Sequence, residues 1–319
     1  MRNRRTLGYI MMIVAVIIPL YILGSMSLDI LNQEKKHSKF IKAFSMENAN
    51  KSTQIFDKAK AYNDKLNSDS MPVDPFDAED YKVNYKVSDD PDAVFAYMTI
   101  PSIDVSQPVY LGASFDHLLT GFAHVDGTAL PIGEKNTRSV IAAHRGGYYG
   151  RLDLLYAHKI KKGDVLKLDL GADILEYKMI SSEIISPDQW EKMKAIKGKE
   201  LLTLITCDSF PTYENRMLIN FERIINEENA PVVSISSYDF QVDLSEKRDD
   251  FFKDDTNSSL SFQKYFLFAS SIFLMLLLIY LAIKFIVHLK TGSKKTKQNI
   301  DCQFTCVYSP SSRVILFLL

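Results

Sequence analysis

Cys207 ends the apolar run Leu201-Leu202-Thr203-Leu204-Ile205-Thr206, and Arg216 follows it nine residues later. A thiol at the end of a strand, with a permanently charged guanidinium shortly beyond it, suits the delivery of a thiolate nucleophile, because neighbouring positive charge favours the ionised form. The chemistry that fits such a pair is acyl transfer. A proton-transfer partner must come from six histidines, of which His117, His124, His144 and His158 lie in the strand-rich part of the chain. His144 stands apart: it follows the apolar strand Ser139-Val140-Ile141-Ala142-Ala143 and precedes Arg145-Gly146-Gly147. It therefore sits, like Cys207, where a strand opens into a loop, and two such strands ending on one rim would bring imidazole and thiol together. Spacing alone leaves the bland alternatives open, an inert buried thiol and a hydrogen-bonded rim histidine. His117 and His124, separated by six residues and without a cysteine or carboxylate cluster beside them, argue against a metal site.

The elements that must position these groups read as short strands. Phe95–Ile100, Ser139–Ala143, Val165–Leu168, Leu175–Met179, Leu201–Thr206 and Arg216–Phe221 all suit strands, with turn residues at Asn136-Thr137, Lys162-Gly163-Asp164 and Gly171 between them. Many closely spaced strands with few long helices predict a mainly β fold, a closed or nearly closed barrel of about 140 residues. Ser186 to Lys192 reads as a short helix inserted between two strands, capped by Ser186 or Asp188. Residues 28 to 70 read as a helical stalk, with Phe40, Ile41, Phe44, Ile55 and Phe56 forming one apolar stripe. From Met71 the run Pro72-Val73-Asp74-Pro75-Phe76-Asp77 breaks the helix and leaves a loop with an aromatic at its tip; taken alone it is a Pro-rich connector.

The chain has 319 residues, 46% hydrophobic, with a formal net charge of -1, which gives no sign of general affinity for nucleic acid. Its ends are different. Leu7 to Met26 is predominantly apolar and follows Arg2, Arg4 and Arg5; Tyr265 to Val287 is a second apolar stretch, followed by Lys290, Lys294, Lys295 and Lys297. At 1.5 Å per residue each can cross a bilayer core of roughly 30 Å. Basic flanks on the terminal side of both predict cytoplasmic termini and an extracellular middle. The competing reading of the first segment is a cleaved signal peptide, against which stand its length and the want of a clear A-x-A site. Of three cysteines, Cys302 and Cys306 fall in the predicted cytoplasmic tail, which leaves Cys207 alone outside.

Together, Thr203-Leu204-Ile205-Thr206-Cys207, His144 upstream and Arg216 downstream resemble the sortases, the cysteine transpeptidases of Gram-positive cell surfaces. The resemblance runs from about Tyr97 to Arg223 and takes in Ile100-Pro101-Ser102-Ile103-Asp104-Val105, His124-Val125-Asp126-Gly127-Thr128-Ala129-Leu130-Pro131 and Ala143-His144-Arg145-Gly146. The Asp74-Pro75-Phe76 loop, the stalk and the second apolar segment are similar to the pilus-assembling class C. The resemblance implies a closed eight-stranded β-barrel with short helices, an N-terminal helical stalk and two transmembrane helices. The implied division is 1–27 basic end and first transmembrane helix, 28–93 stalk and lid loop, 94–230 catalytic barrel, 231–263 linker, 264–288 second transmembrane helix and 289–319 cytoplasmic tail. It implies Cys207 as nucleophile, His144 as proton carrier and Arg216 as donor to the oxyanion or the peptide. Asp74, Pro75 and Phe76 would form a lid, Asp74 pairing with Arg216 and Phe76 covering Cys207. It also implies no cofactor or metal. Substrates would be pilins or other surface proteins with LPXTG-like sorting signals, the acceptor a pilin lysine and the product an isopeptide bond. The alternatives are a sortase using a peptidoglycan amine to anchor single proteins, and, from another class, an inactive membrane-tethered binding module. Phe76 stands where many relatives carry Trp or Tyr, the segment Asp208 to Asn215 is more acidic than expected, and Glu134 replaces a common glycine, so the loops near the groove are expected to differ.

Overall fold

In the computed structural model, residues 2–46, 49–66, 74–76, 87–145, 154–208, 214–225 and 258–307 are described. The chain divides into two compact units, Met1–Ser25 with Tyr265–Leu319, and Met26–Lys264. The first is helical. It holds the start of α1 (Arg2–Met46) and most of α4 (Ser258–Val307). Within them Arg4–Gln33 and Tyr265–Thr291 are long and apolar enough to cross a membrane. Side chains such as Met11, Ile18, Phe266 and Phe273 are exposed, as expected where the apolar partner is lipid. Tyr9 meets Phe285 with ring centroids 6.2 Å apart, and Lys284 Nζ lies 5.6 Å from the Tyr280 ring.

The second unit is built on a closed barrel in the order β1-β2-β3-β4-β7-β8-β6-β5. The strands are β1 (Val94–Ile100), β2 (Val105–Leu111), β3 (Phe122–His124), β4 (Thr137–Ala142), β5 (Val165–Asp169), β6 (Ile174–Ile185), β7 (Glu200–Cys207) and β8 (Arg216–Arg223). All neighbours are antiparallel except β2–β3 and β4–β7. Parallel pairing requires a crossover. The first runs through the short helix α3 (Phe115–Thr120), capped by Ser114; the second carries β5 and β6. Every strand sends side chains into the barrel, among them Met98, Val109, Phe122, Ile141, Leu168, Tyr177, Leu204 and Phe221. Because strand residues alternate between faces, the opposite set lies outside. There Ala123, Val140, Ala142, Ile185, Ile205 and Leu218 form a second apolar cluster with Leu118 of α3 and Met193.

Two strands were not expected from the sequence, and β6 is longer than expected. β2 contains Pro108, which cannot donate to a ladder; its parallel pairing with β3 begins only at Val109↔Phe122. β3 has three residues, too few to show alternation. In β6 a register shift between Met179 and Ser181 interrupts the alternation at the residue where the expected strand ended. At Gly121 a Cβ would lie 2.5 Å from Pro108 O, so only glycine lets β3 start against β2.

Among the described residues, the helical character expected over 28–70 holds as far as Lys65. α1 continues from the apolar segment to Met46, and α2 spans Ala49–Lys65. The stripe is a docking face rather than the side of a free stalk: Ile55, Phe56 and Tyr62 pack against the barrel core. Lys60 Nζ lies 2.7 Å from Glu134, Asn63 bridges Glu134 and the backbone of Leu130, and Tyr62 donates to Asp126. Glu134 thus takes part in helix docking. On α1, buried His37 lies 2.9 Å from buried Asp169, with Phe40 beside Tyr97. The expected capped helix at Ser186 is a 3₁₀ turn over Trp190–Met193 without a side-chain cap; instead the Gln189 side chain accepts from the Ser186 N–H.

Candidate active site

The parallel pairing of β4 with β7 makes both strands end on one rim. The register Ala142↔Ile205 is continued by Ala143 N–H donating to Ile205 O at 3.1 Å, and the next residues are His144 and Cys207. In the antiparallel β7–β8 ladder, Cys207 is paired with Arg216. Parity then selects the face. Ile205 and Leu218 belong to the outer apolar cluster, so Cys207 and Arg216, two residues on, point to the same outer side at the rim. The structure therefore gathers Cys207, His144 and Arg216, drawn from three adjacent strands, at the rim beside the outer cluster that holds Ala142, Ile205 and Leu218. Cys207 is half-buried and Arg216 is 3% exposed.

Asp74, Pro75 and Phe76 lie across this rim. One oxygen of Asp74 accepts from Arg216 Nε at 3.0 Å and lies 2.9 Å from Nη2; the other accepts the Phe76 N–H at 3.0 Å. An aspartate holding its own backbone two residues on, with proline between, makes a rigid turn. Pro75 is buried, and the Phe76 ring packs against the outer cluster, 6.1 Å between centroids from His144 and 5.3 Å from Arg216 Cζ. The ring thus covers His144 and the guanidinium. Residues 67–73 and 77–86, with the rest of the expected Pro-rich loop, lie outside the described residues, as do Gly146 and Gly147 after His144.

A second ion pair joins the residues that follow the candidate acid–base group and nucleophile. Arg145 Nη1 lies 3.0 Å from Asp208 Oδ1 and 3.5 Å from the Cys207 carbonyl. Sequence reasoning noticed the acidic turn without finding this pair; its signal was a basic residue directly after one strand end and an acidic residue directly after the other.

The other barrel histidines have structural surroundings. His117 contacts Gly112 O at 2.6 Å and Asp92 at 3.2 Å and stacks on Tyr110. His124 is fully buried, with Ala129 O and Thr128 Oγ1 on its Nε2; burial pushes its pKa down to about 4. His117 in α3 and His124 at the end of β3 are thus each held by a neighbouring backbone carbonyl. At the start of β7, desolvation raises the Glu200 carboxyl, which accepts from Tyr177 at 2.7 Å.

Residues 98–224 match the Sortase domain. Among curated proteins the chain is 27% identical over 113 residues to sortase D of Bacillus subtilis (strain 168), covering 35% of this chain and 54% of that protein, about half its length. Among solved structures it is similar to sortase C-3 from Streptococcus pneumoniae, with 46% identity, 60% of this chain and 90% of that chain covered, and a TM-score of 0.57. A further Streptococcus pneumoniae sortase C, studied for catalysis and pilin substrate specificity, is 29% identical, with 59% and 96% covered and a TM-score of 0.54. Barrel, rim and relatives agree: the chain belongs to the sortase family and, within it, to class C.

Proposed function

We propose that this protein is a membrane-anchored cysteine transpeptidase that cleaves LPXTG-like sorting signals between Thr and Gly and joins the acyl group to a lysine amine of the next pilin. The observation that carries this reading is the meeting of Cys207, His144 and Arg216 at one rim under the Asp74–Phe76 turn. The Cys207 thiolate attacks the Thr carbonyl carbon. A C–S bond forms, the carbonyl π electrons move to oxygen, and Arg216 donates hydrogen bonds to that oxyanion or to the peptide beside it. Collapse breaks the C–N bond, and the glycine nitrogen leaves with a proton from His144. In the second half the incoming amine gives its proton to His144, attacks the thioester and expels the thiolate. The product is an isopeptide bond, and the enzyme returns to its starting state.

In this reading Asp74, Pro75 and Phe76 are an autoinhibitory lid. Asp74 occupies the Arg216 fork that a substrate needs, and Phe76 covers the apolar wall around His144. A preference for the closed state of about 1 to 3 kcal/mol holds more than 80% of molecules shut. The apolar segments within Arg4–Gln33 and Tyr265–Thr291 anchor the chain, with basic residues beyond each on the terminal side, which supports cytoplasmic termini and an extracellular barrel.

The test is intact-mass analysis of the full chain in detergent micelles with an LPXTG-type peptide. A thioacyl adduct is expected on the native chain, absent in Cys207→Ala and formed at least about fivefold faster in Asp74→Ala/Phe76→Ala, the factor that release from an 80% closed state allows. No adduct from native or lid variant over a panel of sorting peptides, with Cys207 still open to alkylation, sinks the reading in favour of a binding module. With pilin added, polymer ladders support pilin joining, whereas single adducts with peptidoglycan amines favour wall anchoring.

A further inference from the structure

Two guanidinium–carboxylate pairs flank Cys207, and they differ in kind. Arg216–Asp74 joins the barrel to the turn across it, 142 positions away in sequence, and is lost when that turn moves. Arg145–Asp208 joins two strand ends of the barrel and involves no residue of that turn. Arg145 follows His144 directly and Asp208 follows Cys207 directly, so the pair bridges the ends of the parallel strands β4 and β7 one residue beyond the reacting groups. Both side chains are 17% exposed, so this charge-assisted bond is shielded from much of the solvent that weakens surface pairs. Further bonds hold the two ends: Asp208 N–H donates to Asn215 O at 2.9 Å, and Leu154 N–H to His144 O at 3.1 Å.

We propose that Arg145 and Asp208 are positioning residues, a clamp that keeps His144 aligned with Cys207 through both half-reactions while the lid is open. A proton must pass between His144 and groups bonded to Cys207, and strand ends are where a ladder frays. An error of about 1 Å in such an alignment costs on the order of a hundredfold in rate. The pair also balances charge: Asp208 alone beside Cys207 disfavours a thiolate, and Arg145 alone favours it, while the two together change the local charge little. Its role in catalysis rests on the transpeptidase reading above; its tie between the strand ends does not.

The test uses the full chain in micelles and two readouts, single-turnover thioacylation by an LPXTG-type peptide and the pH profile of iodoacetamide alkylation, read on the Cys207 peptide because the chain also contains Cys302 and Cys306. Arg145→Gln and Asp208→Asn are each expected to slow thioacylation about tenfold or more, with the half-saturating peptide concentration within about twofold of native. The double variant is expected to be no slower than either single, and the exchanged pair Arg145→Asp/Asp208→Arg to recover most of the rate. The alkylation midpoint is expected to rise in Arg145→Gln and fall in Asp208→Asn. Single variants within about twofold of native, or losses that multiply in the double, overturn the clamp. If a single variant loses its cooperative thermal transition, Arg145→Lys and the exchanged pair decide: rates near native support the clamp, and a loss equal to that of Arg145→Gln overturns it. If no peptide acylates even the native chain, the transpeptidase reading has failed and alkylation judges the pair. Opposite midpoint shifts restored by the exchanged pair support it; identical profiles in all variants overturn it.

Discussion

Arg216 acts through geometry as much as charge. Nε and Nη2 both reach one oxygen of Asp74, and the flat group lies beside the Phe76 ring, an arrangement a lysine ammonium cannot copy. Arg216→Lys therefore keeps the positive charge and loses the aimed donors. In the proposed mechanism, thioacylation should fall about 10²- to 10³-fold, the cost of a missing oxyanion donor. At the same time the lid should loosen, so alkylation of Cys207 should become faster than in the native chain. Opposite movements of the two rates, measured on one preparation, separate loss of transition-state stabilisation from general damage; a parallel fall in both would argue for misfolding.

At the scale of elements, the barrel is held by what docks on it. The distal part of α1 is fixed by the buried His37–Asp169 contact, by Phe40 beside Tyr97 and by Phe44 lying over Gly171. Gly171 has φ +81°, and a Cβ there would run into the Phe44 ring. Gly171→Ala meets backbone strain and a steric clash at one position, and either Phe44 or the helix must shift. A destabilisation of about 1 to 3 kcal/mol is expected, and hydrogen exchange should show faster opening of residues 37–46 than of β4 and β7. Unchanged exchange in that stretch would mean that Phe44 moves aside without cost. α2 is tied separately through Tyr62, Asn63 and Lys60, so its protection should persist.

At the scale of the whole molecule, buried titratable groups set the pH range of stability. His124 has its folded pKa lowered to about 4 from 6.5 by full burial, so the folded state holds it neutral while the unfolded chain takes up a proton below 6.5. Its contribution is complete above pH 6.5 and is lost as pH falls from 6.5 to 4, on the order of 3 kcal/mol. Glu200, raised by desolvation, has the opposite sign: its contribution is complete below its unfolded value of 4.5 and is lost as pH rises through the folded value, which partly offsets the acid loss. The melting temperature should therefore fall between pH 6.5 and 4. His124→Gln should be less stable at neutral pH and show a flatter acid limb. An equally steep limb in that variant would assign the acid sensitivity to other groups.

Much of the barrel was legible because its strands alternate or run apolar over five or more residues, as in Leu201 to Thr206, and because Lys162-Gly163-Asp164 and Gly171 punctuate them. β2 and β3 were not: Pro108 speaks against a strand, and Phe122–His124 is too short for a pattern, so only the edges left open by the other strands make them pair. The residues of the rim could be nominated one by one, since type and position at a strand end are local properties. The sequence by itself determined the two apolar segments, the helix formers of α1 and α2, the run of strands, and the placement of Cys207, His144 and Arg216 at strand ends. Only the tertiary structure decided that β4 and β7 lie parallel, that the stripe of α2 faces the barrel and that Arg145 meets Asp208; the meeting of Asp74 with Arg216 was implied by the family resemblance and not by the residues alone. The physical reason is that strand pairing and ion pairs between distant segments depend on which edges and charges remain unsatisfied once the whole barrel has closed, a property that no local window of residues contains.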